Sequence, residues 1–293
     1  MRIREPWPLA RTRQRRREFA AVFGAIPPAS LGDGLEIGAG DGFLASMLAP
    51  YCRSFVTTDS YRARLVTPSG QSAPRRLICD AVALPFANAT FDFIFSSSVL
   101  EHVRDRPAAF GEMHRCLRPG GLMLHITPSR TWKLLQLIFY YPHLLLGALD
   151  LVLERATRRR LRGEPLEQPP MPPPAIGERW SDARNWRLSL RTILRGAIPR
   201  VHGEFAGHLR EWRGFGARAW LDEFRAAGFD VRRVLLLPLY SGYGFGLERW
   251  RAWGERLGLS SHNAFVVSKR NDLVPPGALL GFERAPARAL PPG

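Results

Sequence analysis

Residues 35–42, with the sequence LEIGAGDG, decide the fold of this 293-residue chain. Apolar Leu35 and Ile37 precede the glycines, and residues 43–48 follow with the apolar spacing of a helix. The stretch therefore predicts a strand, a sharp turn and the start of a helix. Glycine lacks a Cβ, so the turn can approach a ligand closely. The helix N-terminus adds backbone N–H groups that have no partner within the helix, which predicts a site for a cofactor that contains a nucleoside.

The acid before the turn, Glu36, narrows the choice of cofactor. The dinucleotide-binding fingerprint is G-x-G-x-x-G/A, whereas the glycines here run G-x-G-x-G. A carboxylate at residue 36 would repel a pyrophosphate, but it suits a cofactor that carries a sulfonium and an α-amino group, such as S-adenosylmethionine. Taken alone, the segment leaves open an ordinary glycine loop between a strand and a helix.

Further strands are predicted along the rest of the chain. The second strand, residues 54–59, ends in Asp59, and the third strand, residues 76–81, ends in Asp80-Ala81. The remaining predicted strands are residues 91–96, 122–127, 231–239 and 263–269. Helices are predicted over residues 107–117, which stop at Arg118-Pro119-Gly120-Gly121, and over residues 217–227. Alternation of strands with helices indicates parallel βαβ units with right-handed crossovers.

Residues of about 30–130 resemble a class I S-adenosylmethionine-dependent methyltransferase. The branch resembled is the methyltransferase type 11 branch, which includes ubiquinone/menaquinone-biosynthesis methyltransferases and many small-molecule and glycan methyltransferases. The matching segments, in chain order, are residues 35–42, Asp59, Asp80-Ala81, Leu84-Pro85-Phe86, Phe91-Asp92, residues 99–103 (VLEHV) and residues 117–121 (LRPGG).

The resemblance implies an α/β fold. The expected architecture is a Rossmann-like, seven-stranded, mostly parallel sheet with helices on both faces, an antiparallel last strand and a helical insertion after the fifth strand. The resemblance also implies the cofactor, S-adenosylmethionine, and a set of residues that bind it. The implied residues are Glu36, Gly38, Ala39 and Gly40 for the methionine end, Asp59 for the ribose, Asp80 and Ala81 for the adenine, and Ser96 and Ser97 near the methyl group.

Five segments are expected along the chain: a basic arm (residues 1–29), the cofactor-binding core (30–127), an insertion (128–215), the closing helix and strands of the same core (216–270) and a tail (271–293). Within the insertion, an apolar pair of helices at about residues 132–153 is followed by arginines up to Arg162, and residues 164–175 form a proline-rich linker. Two interpretations of residues 132–162 remain: a lid over the active site, or an element that lies on an anionic membrane surface. Both hold if the lid admits a lipid-linked substrate.

The formal charge of +16 comes from 42 basic and 26 acidic residues, and Lys133 and Lys269 are the only lysines. Such a charge favours binding to an anionic membrane, to an acidic substrate or to nucleic acid. It could also reflect an arginine-rich composition alone. Nucleic acid ranks below the first two, because no motif of a known RNA-binding module is present.

The sequence also gives expectations for the location of the protein in the cell and for metal binding. The N-terminus lacks the apolar stretch and cleavage site of a secretory signal. The three cysteines, Cys52, Cys79 and Cys116, fit no metal or disulfide spacing and read as reduced thiols. We therefore expect a cytoplasmic protein, with a peripheral position at the inner face of the membrane as an additional expectation. The seven histidines are widely spread, so no metal site is predicted.

Methyl transfer depends mainly on holding donor and acceptor in line, and a hydroxyl acceptor gains from a general base. The acceptor is expected to be a small molecule, a glycan or a lipid-linked compound. Two alternatives are a cofactor-binding partner protein without activity at a membrane surface and, ranked lower, an RNA methyltransferase. Candidates for the base are His102, His125, His202, His208 and Tyr240.

Overall fold

The computed structural model describes residues 7–61, 74–160, 199–240 and 247–274, together with Tyr243, Phe245, Leu279, Gly281 and Phe282. By compactness the chain divides into two units. The first consists of residues 1–11, 135–200 and 241–246, and the second consists of residues 12–134, 201–240 and 247–293. The second unit contains the whole sheet.

Seven strands form one sheet in the order β3-β2-β1-β4-β5-β7-β6. Strands β1 to β5 run parallel, while β7 is antiparallel to both β5 and β6. The order reverses between β1 and β4, which is the point where ligands bind in open α/β sheets. The predicted α/β fold with an antiparallel last strand is confirmed. The strand bounds are β1 Asp33–Ile37, β2 Ser54–Asp59, β3 Arg75–Ile78, β4 Phe91–Ser97, β5 Leu117–Pro128, β6 Phe229–Leu236 and β7 His262–Lys269.

Side chains of β4 alternate between the two faces of the sheet, as the period of two requires. Phe93 and Phe95 pack with Phe23 on one face, whereas Ile94 packs with Phe110 on the other. Helix α1 therefore contributes to the core, so the basic arm is more than a charged surface. The helix bounds are α1 Trp7–Phe23, α2 Phe43–Leu48, α3 Arg106–Cys116, α4 Arg130–Arg160, α5 His208–Gly214, α6 Ala217–Ala226 and α7 Glu248–Arg256.

The segment after α3 differs in part from its prediction. The helix ends at Cys116, as Arg118-Pro119-Gly120-Gly121 predicted, but the backbone then enters β5 at Leu117 instead of at residue 122. A register shift between Phe91 and Phe93 accommodates the extra residues, and Gly120 takes a φ of 74° there. Residues 118–121 thus form a bulge within β5.

The expected pair of apolar helices after β5 is wrong, because α4 runs unbroken from Arg130 to Arg160 with Pro142 inside it. Proline removes one helical hydrogen bond. Pro142 and Ile138, four residues earlier, are both exposed, so water can serve the carbonyl that loses its partner. Within the described residues, no helix has the length and apolar character that crossing a membrane requires. The proline-rich linker (residues 164–175) and most of the tail lie outside the described residues.

Candidate cofactor and active site

The glycine turn follows β1 and is bound to the end of β2. The backbone N atoms of Gly38 and Ala39 both donate to the carbonyl oxygen of Thr58, at 2.8 and 2.9 Å. Gly38 has a φ of 74°, and a Cβ there would overlap the side chain of Val99. This position needs glycine both for its backbone conformation and for the close approach of the segment after β4.

Asp59, the last residue of β2, is buried and shapes the turn directly. Its Oδ2 atom accepts a hydrogen bond from the backbone N of Gly40 at 2.8 Å, and its Oδ1 atom accepts one from the backbone N of Tyr61 at 2.8 Å. A Cβ at Gly40 would meet nothing within 4 Å, so the space beside this carboxylate is open. The predicted contact of Asp59 with the ribose stays a prediction, and its position at the turn is compatible with it.

Glu36 lies beneath the turn with 2% of its surface exposed. Its Oε2 atom has no hydrogen-bond partner among the described residues. Burial raises the pKa of Glu36 to about 8, and the positive charges of Arg76 and Arg15 offset that effect only in part. The carboxyl group is therefore protonated at neutral pH and acquires a charge readily when a cation arrives. A buried acid of this kind fits the sulfonium and ammonium groups of S-adenosylmethionine.

Arg76 on β3 extends to the same turn. A Cβ at Gly42, which has a φ of 76°, would overlap its guanidinium group. The glycine therefore leaves room for a cation within electrostatic range of Glu36. Sequence reasoning missed Arg76, because nothing in the chain order indicates that a β3 side chain lies across the turn that follows β1.

Ser96 and Ser97 point to opposite faces of the sheet. The Ser96 hydroxyl is fully buried and lies 2.8 Å from the Nδ1 atom of His125, and its predicted place beside the cofactor stays a prediction. Ser97 accepts a hydrogen bond from the Nη1 atom of Arg15 at 2.7 Å. Helix α1 therefore places a cation at the carboxyl end of β4. The sequence marked the arm as arginine-rich but could not single out Arg15.

Asp80 and Ala81 follow the carboxyl end of β3. The Asp80 carboxylate is exposed and accepts from the backbone N of Val82 at 3.3 Å, while Ala81 is buried in the core. Their predicted contact with adenine stays a prediction, and the position of Asp80 at the same edge of the sheet as Asp59 is compatible with it.

Two of the proposed bases are buried. His125 is fully buried and stacks on Phe224 with ring centroids 5.5 Å apart, and burial lowers its pKa to about 3. His125 therefore packs in the core, which does not favour its predicted role as a base. Tyr240 is 4% exposed, and its backbone N donates to the Ser261 hydroxyl.

The other three proposed bases, His102, His202 and His208, lie nearer the surface. His202 lies beside His102, with ring centroids 4.6 Å apart. His208 instead lies 3.6 Å from the carboxylate of Glu211. Glu204 pairs with Arg104 at 3.1 Å, and Trp212 lies under Arg130, whose Cζ atom is 4.7 Å from the ring centroid.

Comparison with known proteins agrees with this geometry. A protein-family model described as a methyltransferase domain matches residues 35–125. The ubiquinone biosynthesis O-methyltransferase of Parvibaculum lavamentivorans is 38% identical over 104 residues, which is 34% of this chain and 41% of the relative. The ubiquinone/menaquinone biosynthesis C-methyltransferase of Desulfotalea psychrophila is 29% identical over 165 residues, 53% of this chain and 65% of the relative.

Among solved structures, an S-adenosylmethionine-dependent methyltransferase from Mesorhizobium loti is similar with a TM-score of 0.46 and 15% identity, over 84% of this chain and 94% of that one. The chain spans less than two thirds of the length of the two curated relatives named above. Residues 35–125 therefore match a methyltransferase domain, in agreement with the expected cofactor, S-adenosylmethionine, and with the open α/β sheet.

Proposed function

We propose that this protein transfers a methyl group from S-adenosylmethionine to a small-molecule, glycan or lipid-linked acceptor. The observation that carries the proposal is the buried carboxyl group of Glu36, which has an oxygen without a hydrogen-bond partner among the described residues, at the base of an open glycine turn beside Asp59. Buried polar groups are nearly always satisfied. A cationic cofactor would supply the partner that this oxygen lacks.

In this proposal, each residue of the site binds a different part of the cofactor. Glu36 and the turn would hold the methionine end, Asp59 would hold the ribose, and bound S-adenosylmethionine supplies an electrophilic methyl group. Orientation of donor and acceptor can contribute roughly 7–11 kcal/mol to such a transfer.

Calorimetric titration with S-adenosylmethionine tests the cofactor site, and a screen with methyl-labelled cofactor tests the reaction. We expect binding by the wild type and label transfer into a lipid, glycan or small-molecule fraction of a cell extract. Absence of binding by the folded wild type would contradict the proposal. Binding without transfer to any fraction would instead favour a cofactor-binding partner protein. Transfer into RNA, with strongly salt-dependent binding, would favour the RNA methyltransferase.

A specific observation supports a second proposal, that the segment of residues 132–162 contacts an anionic membrane. Ile138, Tyr141 and Leu145 are exposed at spacings of three and four residues, which places them on one face of α4. Another side of the helix packs on aromatic residues of its own unit, with Phe139 5.1 Å from Phe245 and His143 4.5 Å from Tyr243. An exposed apolar stripe followed in sequence by arginines is typical of helices that lie in a membrane surface.

Flotation with liposomes tests this contact. We expect the wild type to float with anionic liposomes and to float less with zwitterionic ones. Replacement of Ile138 and Leu145 by serine should abolish flotation. The Leu209→Ser variant removes an equally exposed leucine from α5 and serves as the matched control. Equal flotation of the wild type and the double variant would reject the stripe as the contact.

A further inference from the structure

Three potential metal ligands that are far apart in the sequence meet in the fold. Glu101, His102 and His202 each offer one ligand atom, and these atoms all lie within 4.8 Å of one another. Glu101 and His102 form the end of the 3₁₀ turn Leu100–His102, which follows β4. His202 follows 100 residues after His102 and comes from the segment before α5.

The carboxylate of Glu101 is fully buried, yet neither of its oxygens has a hydrogen-bond partner among the described residues. Its nearest ionic neighbour is the Nε2 atom of His202, 3.7 Å from Oε1, which is too long for a hydrogen bond. A buried carboxylate without partners is costly, and a bound cation is one of the few groups that relieves this cost.

The backbone holds the three residues together. The N atom of Glu204 donates to the carbonyl oxygen of Glu101 at 2.9 Å. Gly203 has a φ of 77°, and a Cβ there would overlap that same carbonyl oxygen. The ring of Trp132 lies 5.0 Å from the ring of His202 and forms one wall of the cluster. The segment that carries His202 is therefore fixed against the 3₁₀ turn.

We propose that Glu101, His102 and His202 bind a divalent transition-metal ion, with Zn²⁺ as the best match. Two imidazoles and one carboxylate are a recurrent ligand set for Zn²⁺ and for non-haem Fe²⁺, whereas Mg²⁺ and Ca²⁺ prefer oxygen ligands. Zn–N distances of about 2.0–2.1 Å place tetrahedral ligand atoms roughly 3.4 Å apart. Rotation of the two partly exposed imidazoles closes the remaining gap.

The place of the cluster in the fold gives the metal a role. Val99, which packs on Gly38 of the glycine turn, lies two residues before Glu101. The metal is therefore at the carboxyl edge of the sheet, where ligands bind in open α/β sheets. Three protein ligands leave a fourth position for water or for an oxygen of the acceptor, and coordination of a hydroxyl group lowers its pKa.

Metal binding is tested without reference to methyl transfer. Equilibrium dialysis against Zn²⁺ and the visible absorption of the Co²⁺-loaded protein report stoichiometry and ligand geometry. We expect about one ion per chain, with a four-coordinate Co²⁺ spectrum. The isosteric Glu101→Gln variant and the His202→Ala variant should each lose at least roughly tenfold in affinity, since even outer-shell changes cost 10–100-fold.

The His114→Ala variant is the control, because His114 is a half-buried histidine on α3 outside the cluster. It should bind the ion as the wild type does. Circular dichroism confirms that each variant is folded. Absence of stoichiometric binding by the folded wild type, or equal affinity in the wild type and His202→Ala, would overturn the metal site. Neither result would affect the binding of S-adenosylmethionine on which the proposed function depends.

Discussion

The Oδ2 atom of Asp59 accepts a hydrogen bond of 2.8 Å from the backbone N of Gly40, so the end of β2 and the glycine turn are held together. The second oxygen accepts from the backbone N of Tyr61. One carboxylate therefore fixes the shape of the turn and keeps lone pairs that can accept further hydrogen bonds.

The first prediction concerns this double role. Asp59→Ala should weaken S-adenosylmethionine binding by roughly 10–100-fold, because hydrogen bonds to a charged group are worth about 1.5–3 kcal/mol. Asp59→Asn keeps one acceptor oxygen and should lose less. Calorimetry gives both affinities. If the two variants bind the cofactor as tightly as the wild type, Asp59 does not contact the ribose.

The second prediction concerns the stability cost of Glu36. The unfolded chain ionises this residue above about pH 4.5, whereas the folded protein keeps the proton until about pH 8. The free energy of unfolding therefore falls as the pH rises between these values, and the total loss is on the order of 5 kcal/mol. Glu36→Gln should raise the free energy of unfolding of the cofactor-free protein at pH 8 and leave it unchanged at pH 4. Urea titrations at both pH values measure the difference, and an equal change at both would refute the assignment.

The third prediction follows from the same group and concerns cofactor binding. A cation that binds beside Glu36 favours the ionised form, so binding near neutral pH should release close to one proton. The affinity of the wild type should fall as the pH drops below about 8. Calorimetry in two buffers of different ionisation enthalpy counts the released protons. The Glu36→Gln variant should bind more weakly and release none; proton release by this variant would assign the effect to another group.

The fourth prediction concerns Glu18 on α1, which lies 2.8 Å from the Nδ1 atom of His262. Burial alone would raise its pKa, but His262 and Arg15 outweigh burial and hold the pKa at about 2. A lowered pKa stabilises the fold above the unfolded value of about 4.5, and this contribution is lost as the pH falls toward 2. Glu18→Gln should therefore cost about 3 kcal/mol at pH 7 and little near pH 2. Chemical unfolding across this range provides the test; a cost independent of pH would contradict it.

The fifth prediction concerns the ion pair between Lys133 at the start of α4 and Glu211 on α5. The Nζ and Oε2 atoms are 2.7 Å apart, and both side chains are fully buried. Glu211→Ala leaves a buried ammonium and should cost about 3–5 kcal/mol, whereas replacing both residues by leucine or methionine should cost much less. Thermal or urea unfolding of the single and double variants compares the two. Equal losses would show that the pair acts independently of its charge.

The sequence predicted the fold because its signals are local. The apolar run before Gly38, the acid at the end of each of the next two strands and the stop after Cys116 each depend on neighbouring residues, and the structure confirms the elements that they mark. The helix stop shows the limit of such reasoning. Arg118-Pro119-Gly120-Gly121 ended α3 as predicted, but pairing with β4 determined that the same residues continue as a strand.

The sequence could predict a site residue that lies at the end of a single strand. It could not predict contacts between side chains from distant segments. Asp59 lies at the turn as its place in the sequence indicated. Ser96 was assigned to the cofactor from its position at a strand end, but the pleat of β4 turns it toward His125. A shift of one residue reverses the face of a strand, and only the register with β5 decides which face is buried.

The sequence by itself determined the α/β fold, because the apolar spacing of each strand and helix and the glycine turn between them are local patterns. The tertiary structure decided which charged groups share the site. Arg15 reaches the end of β4 from α1, and Arg76 reaches the glycine turn from β3. His202 joins Glu101 and His102 across 100 residues of chain. Electrostatic and coordinate interactions depend on distance in space, and the packing of the sheet and its helices sets that distance.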